Sequence, residues 1–313
     1  FFKKMKILKP KFWEKNNNLI SLLLLPISFI VKLFIIIKKG ITLERSFKIP
    51  VICIGNIYLG GTGKTPLSIL IAKELRKNNK KPAIVKKYYA DHVDEHGLIK
   101  DNLDCLFLHK KRSQAINNAQ EKKYDLAILD DGFQDYSIKK DLNILCFNSN
   151  QLIGNGMTLP AGPLRESLNS VRKTQIVLIN GNKNKLFEEK ILSISNNVKI
   201  FYSKYIPQNL EEFKNKKLIA FAGIGNPDNF FSLLEDNDVK IHSKLAFPDH
   251  YKFNRSEIQK MVDESIKNKM ELVTTEKDYF RIKEYGFKHI KFLKVKLEIL
   301  EKDNFIKQVL NYI

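Results

Sequence analysis

Only three cysteines occur in 313 residues, Cys53, Cys105 and Cys146, far apart and with no Cys-x-x-Cys spacing. That excludes a disulfide framework and a zinc site of the usual spacing, and makes a reducing compartment the expectation. The six histidines form no metal-ligand cluster. Acidic residues are also short, 34 against 54 lysines and arginines, for a net charge of +20. Such an excess suits nucleic acid, an anionic membrane surface or a polyanionic substrate. Yet lysine, asparagine and isoleucine are frequent throughout, and there is no nucleic-acid-binding motif and no basic stripe with interleaved aromatics. Nucleic acid is therefore not an expected partner. No internal repeat is found.

What is present suits a folded chain. Its 43% hydrophobic and 28% charged residues fit a globular protein rather than a disordered one. The length suits two domains, or one domain with appendages. The first forty residues read as a separate unit. A basic, polar stretch precedes the apolar run LISLLLLPISFIVKLFIII at residues 19–37, which Lys38 and Lys39 close. As a helix this run is about 28 Å long at 1.5 Å per residue, close to the hydrocarbon thickness of a bilayer. Pro26 and Lys32 interrupt it, and the flanking lysines suit anionic headgroups. No small-residue cleavage site follows, so a cleaved signal peptide is not expected. A membrane anchor that spans or lies in the inner leaflet fits these features; a buried core helix is the competing reading.

From about residue 48 the pattern alternates between strand and helix. Apolar runs of strand character are IPVICIG (49–55), KPAIVK (81–86), DLAILDD (125–131), LNILCF (142–147) and QIVLIN (175–180). A clear helical pattern, TPLSILIAKELRKNN, fills 65–79. A second set comprises KKLIAFAGIG (216–225), ELVTTEKD (271–278) and IKFLKVKL (290–297). Strands alternating with helices predict an α/β fold with a mostly parallel, buried sheet flanked by helices. Residues 200–215 lack strong periodicity and read as a linker.

The segment GNIYLGGTGKTP (55–66) lies between the first strand and the first clear helix. It departs from G-x-x-x-x-G-K-[ST]: Tyr58 stands at the usual first glycine, and Gly55 lies three residues earlier. The physics of a phosphate loop is nevertheless present, because backbone N–H groups at a helix N-terminus can cradle phosphates. Gly60, Gly61, Thr62 and Gly63 form the candidate cradle. Lys64 reaches the outer phosphates, and the Thr65 hydroxyl can ligate Mg²⁺. A glycine-rich turn that merely opens a helix is the alternative.

DLAILDDGFQD ends an apolar strand in Asp130 and Asp131. Carboxylates at that edge, beside a phosphate loop, are where a nucleotide fold holds Mg²⁺. Adjacent aspartates alternate sides on a strand, so they divide labour only if the chain turns there, which Gly132 would permit. Plain Asp-Gly turn chemistry is the competing reading.

Six motifs occur in a fixed order: GNIYLGGTGKTP, LDDGFQD, LPAGPLRES (159–167), AGIGNPDNFF (222–231), FPDHY (247–251) and TTEKD (274–278). In these motifs, and in its apolar start, nearly the whole chain resembles tetraacyldisaccharide 4'-kinases, the lipid A kinases of Gram-negative bacteria. Members carry G-N-x-x-x-G-G-[ST]-G-K-[ST], so Tyr58 agrees with the family pattern. Two segments depart from it. Lys86-Lys87-Tyr88-Tyr89 stands for S-R-G-Y, and Val93-Asp94-Glu95-His96 for G-D-E-P in a shortened loop.

The resemblance implies transfer of the ATP γ-phosphoryl group to the 4'-hydroxyl of a tetraacylated glucosamine disaccharide 1-phosphate. It implies ATP and Mg²⁺ as cofactors, a lipid partner, the cytoplasmic face of the inner membrane and no obligate protein partner. It implies Asp94 as the base that accepts the hydroxyl proton, with His250 orienting or polarising it. Mg²⁺ is expected on Thr65 and Asp131, with Asp130 or Glu95 assisting. Gln134 would align the γ-phosphate or the waters of the metal. Arg165 would meet a phosphate with its planar fork, or else pair with neighbouring Glu166. The expected units are a membrane-associated helix (1–40), a P-loop NTPase-like kinase domain (41–205) and a smaller C-terminal α/β domain (206–313). A membrane-tethered NTPase switch without lipid acceptor, or a scaffold with a decayed site, are the other readings of the same motifs.

Overall fold

The computed structural model describes residues 10–89 and 93–313. Residues 1–9 of the expected N-terminal unit and 90–92 of the shortened loop lie outside the described residues. The expected apolar runs become strands. Three of them, β1 (Val51–Gly55), β4 (Leu126–Asp130) and β6 (Ile176–Asn180), are buried at every residue, as parallel strands covered on both faces must be. The others of this set are β2 (Pro82–Lys87), β3 (Leu106–His109), β5 (Leu142–Asn148), β7 (Lys199–Pro207) and β12 (Val295–Ile299). They form one eight-stranded sheet in the order β12-β7-β6-β5-β1-β4-β2-β3. The pairings of β1 with β4 and β5, β2 with β3 and β4, and β6 with β5 and β7 are all parallel. A second parallel sheet has the order β11-β10-β8-β9, from β8 (Leu218–Ala222), β9 (Ile241–Ala246), β10 (Glu271–Thr275) and β11 (Ile290–Leu293).

The helices are α1 (Leu19–Ile41), α2 (Lys64–Lys77), α3 (Val93–Asn102), α4 (Arg112–Glu121) and α5 (Lys185–Ile194). Later in the chain come α6 (Pro227–Glu235), α7 (Arg255–Lys267), α8 (Glu276–Ile282) and α9 (Lys302–Leu310). The large sheet packs its helices around a core that includes Cys53, Leu129, Phe133, Phe147 and Ile179. The small sheet has apolar clusters of its own around Phe230 and Leu234, and around Phe253 and Val262. All three cysteines are buried and free; burial pushes the Cys53 thiol up to about 11 and Cys146 to about 12. Neither is a nucleophile at neutral pH.

The compact units do not follow the expected boundaries. One comprises Tyr89–Asn102 and Tyr205–Lys296; the other comprises Lys9–Tyr88, Leu103–Lys204 and Leu297–Ile313. Helix α1 thus belongs with the phosphate-loop unit. Helix α3 belongs with the small sheet, where Gly97 packs so closely on α8 that a Cβ would lie 3.0 Å from the Phe280 ring. Two further expectations change. The proposed linker at 200–215 contains most of β7, whose residues 199–203 pair with β6. The run IKFLKVKL is two strands, one in each sheet, because Lys294 leaves the ladder. Its N–H donates to Asn209 Oδ1 (2.8 Å) and its carbonyl accepts from Gln208 N–H (2.9 Å).

Candidate active site

The two glycines at the ends of the loop motif serve different purposes. Gly63, at the N-cap of α2, is left-handed (φ 86°), and Gly60 has φ 148°, so the cradle needs residues without a Cβ penalty. Gly55 has an ordinary φ; it is required because any Cβ there would collide with the Cβ of Phe133. The early glycine lets β1 and the LDDGF turn approach each other and is no part of the cradle. Gly55→Ala is therefore expected to destabilise the fold by about 1–3 kcal/mol, read as a lower denaturant midpoint.

Tyr58 also has a positive reason to be there. Its side chain is buried, and its backbone bridges Leu164. Around that bridge Leu59 N–H donates to Pro163 O (2.9 Å) and Arg165 N–H to Ile57 O (2.6 Å). The loop is thereby laced to the LPAGPLRES segment, and Arg165 is delivered beside it. Asn56 closes the loop from within, its Nδ2 donating to Gly60 O at 3.0 Å.

Register sets the acidic end: Ile54 lies opposite Asp130 in the β1–β4 ladder. The chain turns at Asp131 itself, which is left-handed (φ 60°), a conformation aspartate tolerates better than most residues. Gly132 is there for space instead, since a Cβ would lie 2.7 Å from Leu129 Cβ. The turn separates the two carboxylates. Asp130 Oδ2 accepts from Thr65 Oγ1 (2.9 Å) and from Lys86 Nζ (2.6 Å). Asp131 faces Lys64 Nζ at 3.6 Å and Arg165 Nη1 at 3.3 Å, while Arg112 donates to its carbonyl at 2.6 Å. Burial pushes the Asp131 carboxyl up, but the charges of Lys64, Arg165, Lys86 and Arg112 outweigh this and hold it well below the usual range.

These groups suit a hard divalent cation. The buried Asp130 Oδ1 has no hydrogen-bond partner among the described residues, and the same holds for Thr62 Oγ1 in the loop. An unpartnered buried carboxylate oxygen beside a threonine hydroxyl is a donor set for Mg²⁺. Among the described residues no cluster of three His, Cys, Asp or Glu is found.

Arg165 does not pair with Glu166. Its Nη1 also donates to Gln134 Oε1 at 3.4 Å, and Gln134 Nε2 donates to Asn56 O (3.0 Å) and Glu166 Oε1 (3.3 Å). Glu166, buried, accepts from Ser170 Oγ (2.9 Å) and from Lys39 Nζ of α1 (2.5 Å). A line of side chains thus runs from α1 to the acidic turn: Lys39, Glu166, Gln134, Arg165, Asp131.

The other unit builds a second cluster. Asp94 lies in the first turn of α3 and is fully buried; its Oδ2 accepts from Arg281 Nη2 at 2.6 Å, with His250 Nδ1 at 3.7 Å. Arg281 Nη1 also donates to Asp278 Oδ1 (2.5 Å) and Gly223 O (2.7 Å), so the guanidinium is fixed from three sides. Asp278 is fixed in turn by Gly223 N–H and by Thr275 Oγ1, the N-cap of α8. Burial pushes the Asp94 carboxyl up, yet neighbouring His250 and the charges of Lys277 and Arg281 hold it well below the usual range. His250 sits in the Pro-Asp turn with φ 55°, its Nδ1 3.3 Å from Arg281 Nη2 and 3.7 Å from Asp94 Oδ2. Glu95, expected near the metal, accepts from Lys277 Nζ at 2.8 Å in this unit, whereas Thr65 and Asp131 belong to the other.

Residues 20–313 match the family described as tetraacyldisaccharide-1-P 4'-kinase. A tetraacyldisaccharide 4'-kinase of Pelagibacter ubique (strain HTCC1062) is 42% identical over 310 residues, 98% of each chain. The chain belongs to this family. That of Rickettsia akari (strain Hartford) is 32% identical and aligns with 96% of this chain and 95% of its own. The crystal structure of LpxK from Aquifex aeolicus in complex with ATP superposes with a TM-score of 0.67 at 23% identity, over 94% of this chain and 99% of that one. It shares the fold, a P-loop NTPase-like mostly parallel sheet flanked by helices. Family membership makes the chain an ATP-dependent phosphotransferase with an alcohol acceptor.

Several residues of these two clusters gave little sign in the sequence. Arg281 follows Asp278 at helical i,i+3 spacing, a detectable pattern, but its bond to Asp94 crosses 187 positions. Lys86 was visible as a lysine inside a buried strand, which calls for a partner. Arg112 opens α4 with nothing local to mark it.

Proposed function

We propose that this kinase transfers the γ-phosphoryl group of ATP to the 4'-hydroxyl of a tetraacylated glucosamine disaccharide 1-phosphate. The observation that carries the reading is the Asp94–His250 pair: a buried carboxylate kept ionised beside an imidazole. Hydrolysis in a nucleotide switch can run with a residue that only positions water, whereas an alcohol acceptor is served by an ionised carboxylate within reach of its hydroxyl. In this reading Asp94 accepts that proton, His250 orients it, and Arg281 fixes the carboxylate. The N–H groups of Gly60, Gly61, Thr62 and Gly63 bind the phosphates, and Lys64 and Arg165 stabilise the charge of the transferring group. Thr65, Asp130 and Asp131 would hold Mg²⁺, which neutralises phosphate charge when bound. Gln134 orients Arg165.

The lipid acceptor gives α1 its place. A single stripe faces the body: Ser21, Ser28 and Lys39 hydrogen-bond to it, and Leu24, Val31 and Ile35 are half-buried between them. The remaining surface is exposed and mostly apolar, interrupted by Lys32 and Lys38, with for example Leu19 at 70%, Phe29 at 68% and Phe34 at 67%. Anchors at 21, 28 and 39 extend over about 27 Å of helix at 1.5 Å per residue. A helix docked over that length lies along the protein and in the membrane interface instead of crossing it. In this reading the protein works at the cytoplasmic face of the inner membrane.

Transfer of radiolabelled phosphate from ATP to the lipid disaccharide in detergent micelles tests the reaction; hydrolysis with no labelled lipid would favour the switch. Flotation with anionic vesicles tests the helix. The Phe29→Lys/Phe34→Lys protein is expected to stay at the bottom of the gradient, and undiminished flotation would refute the interfacial placement.

A further inference from the structure

The segment where the chain departs from the family pattern contributes a buried cation. Lys86 is next to last in β2, its side chain 5% exposed, and its ammonium lies 2.6 Å from Asp130 Oδ2. A buried ammonium is costly unless it is paired and hydrogen-bonded. Here it is paired with the carboxylate best placed for a metal. Thr65 Oγ1 and Lys86 Nζ together occupy Oδ2, leaving only Oδ1 without a partner.

Charges of both signs meet around the acidic turn. Asp130, Asp131 and Asp135 face Lys64, Lys86, Arg112 and Arg165, and Asp135 takes up Arg112 at 3.3 Å. Among these cations Lys86 is the one buried against Asp130, so it holds a positive charge beside Thr65 of the phosphate loop whether or not a metal is bound.

We propose that Lys86 is a fixed monovalent cation that takes over part of the electrostatic work of the divalent metal at the phosphate loop. Nucleotide polyphosphate then binds without Mg²⁺, and the metal is needed for transfer more than for binding. Lys86 also restrains Asp130, so the protein's own affinity for a divalent ion is low before nucleotide arrives. The inference rests on the nucleotide reading of residues 55–65.

Calorimetric titration of ADP into the whole protein, in excess EDTA and then in excess MgCl₂, tests it without any turnover. Wild type is expected to bind in both buffers, with the two Kd values within about 10-fold. Lys86→Met should widen that ratio by roughly 10- to 100-fold, the worth of one charge-assisted contact, while Lys86→Arg keeps it near wild type. Mn²⁺ titration followed by electron paramagnetic resonance, without nucleotide, should show tighter binding to Lys86→Met, whose Asp130 is released. An unchanged ratio in folded Lys86→Met, or a loss above about 1,000-fold in EDTA for wild type alone, overturns the proposal. Absence of ADP binding in both buffers would instead remove the nucleotide reading, and this inference with it.

Discussion

Asp94→Ala is expected to lower kcat for lipid phosphorylation by about 100- to 10,000-fold, the usual worth of a positioned general base. ATP affinity should stay within about 3-fold, because the phosphate loop belongs to the other compact unit. Single-turnover transfer and nucleotide titration on one preparation check both. Near-normal turnover would remove Asp94 as base and return it to a structural ion pair. The pH profile adds a second test. The charges of Lys277 and Arg281 keep Asp94 ionised far below its ordinary 3.8, so the acid limb of kcat/KM at mildly acidic pH does not belong to it. Arg281→Gln removes one of those charges and moves the Asp94 titration upward. Stability follows the same sign. A depressed carboxylate contributes stability above 3.8 that is lost as pH falls through the lower folded value, so Arg281→Gln should acid-unfold at higher pH.

Lys64→Ala should lower turnover by about 100- to 1,000-fold, the effect of deleting one preorganised donor to developing charge. Unlike Asp94→Ala it should also weaken ATP binding, since the ammonium meets phosphates in the ground state as well. The fold should survive. Lys64 Nζ lies 3.6 Å from an Asp131 carboxylate that Arg165 also holds, so its removal leaves no buried charge uncompensated. An active Lys64→Ala enzyme would sink the kinase assignment of the loop.

The strand and helix framework was legible because its periodicity is strong. The apolar runs within 49–55, 125–131 and 175–180 have few options besides buried parallel strands, and GGTGKT between strand and helix has few besides a phosphate cradle. What the reading missed lay at sheet edges and in breaks. β9 alternates half-buried with exposed residues, β7 lies in a stretch without strong periodicity, and Lys294 divides 290–297 into two strands. Local propensity is weakest where a strand has one solvated face or is interrupted by a single side-chain bond.

For the site, the sequence by itself determined the chemistry available: a loop with Lys64 and Thr65, the Asp130–Asp131 pair, Asp94, His250 and Arg165. It also contained the reason for Tyr58, because the six motifs in order already matched the family that this chain belongs to. Tertiary structure decided which of these groups meet. Register placed Asp130 beside Thr65, and the left-handed turn at Asp131 aimed the second carboxylate at Lys64 and Arg165. Pairing of loop residues 57–59 with 163–165 delivered Arg165, and Arg281 reached Asp94 over 187 positions. It also turned the polar stripe of α1 inward and left its apolar face out. The division has one physical cause. Side-chain chemistry and periodicity are properties of short segments, whereas the partner of a charge is set by burial and by contacts between segments far apart in the chain.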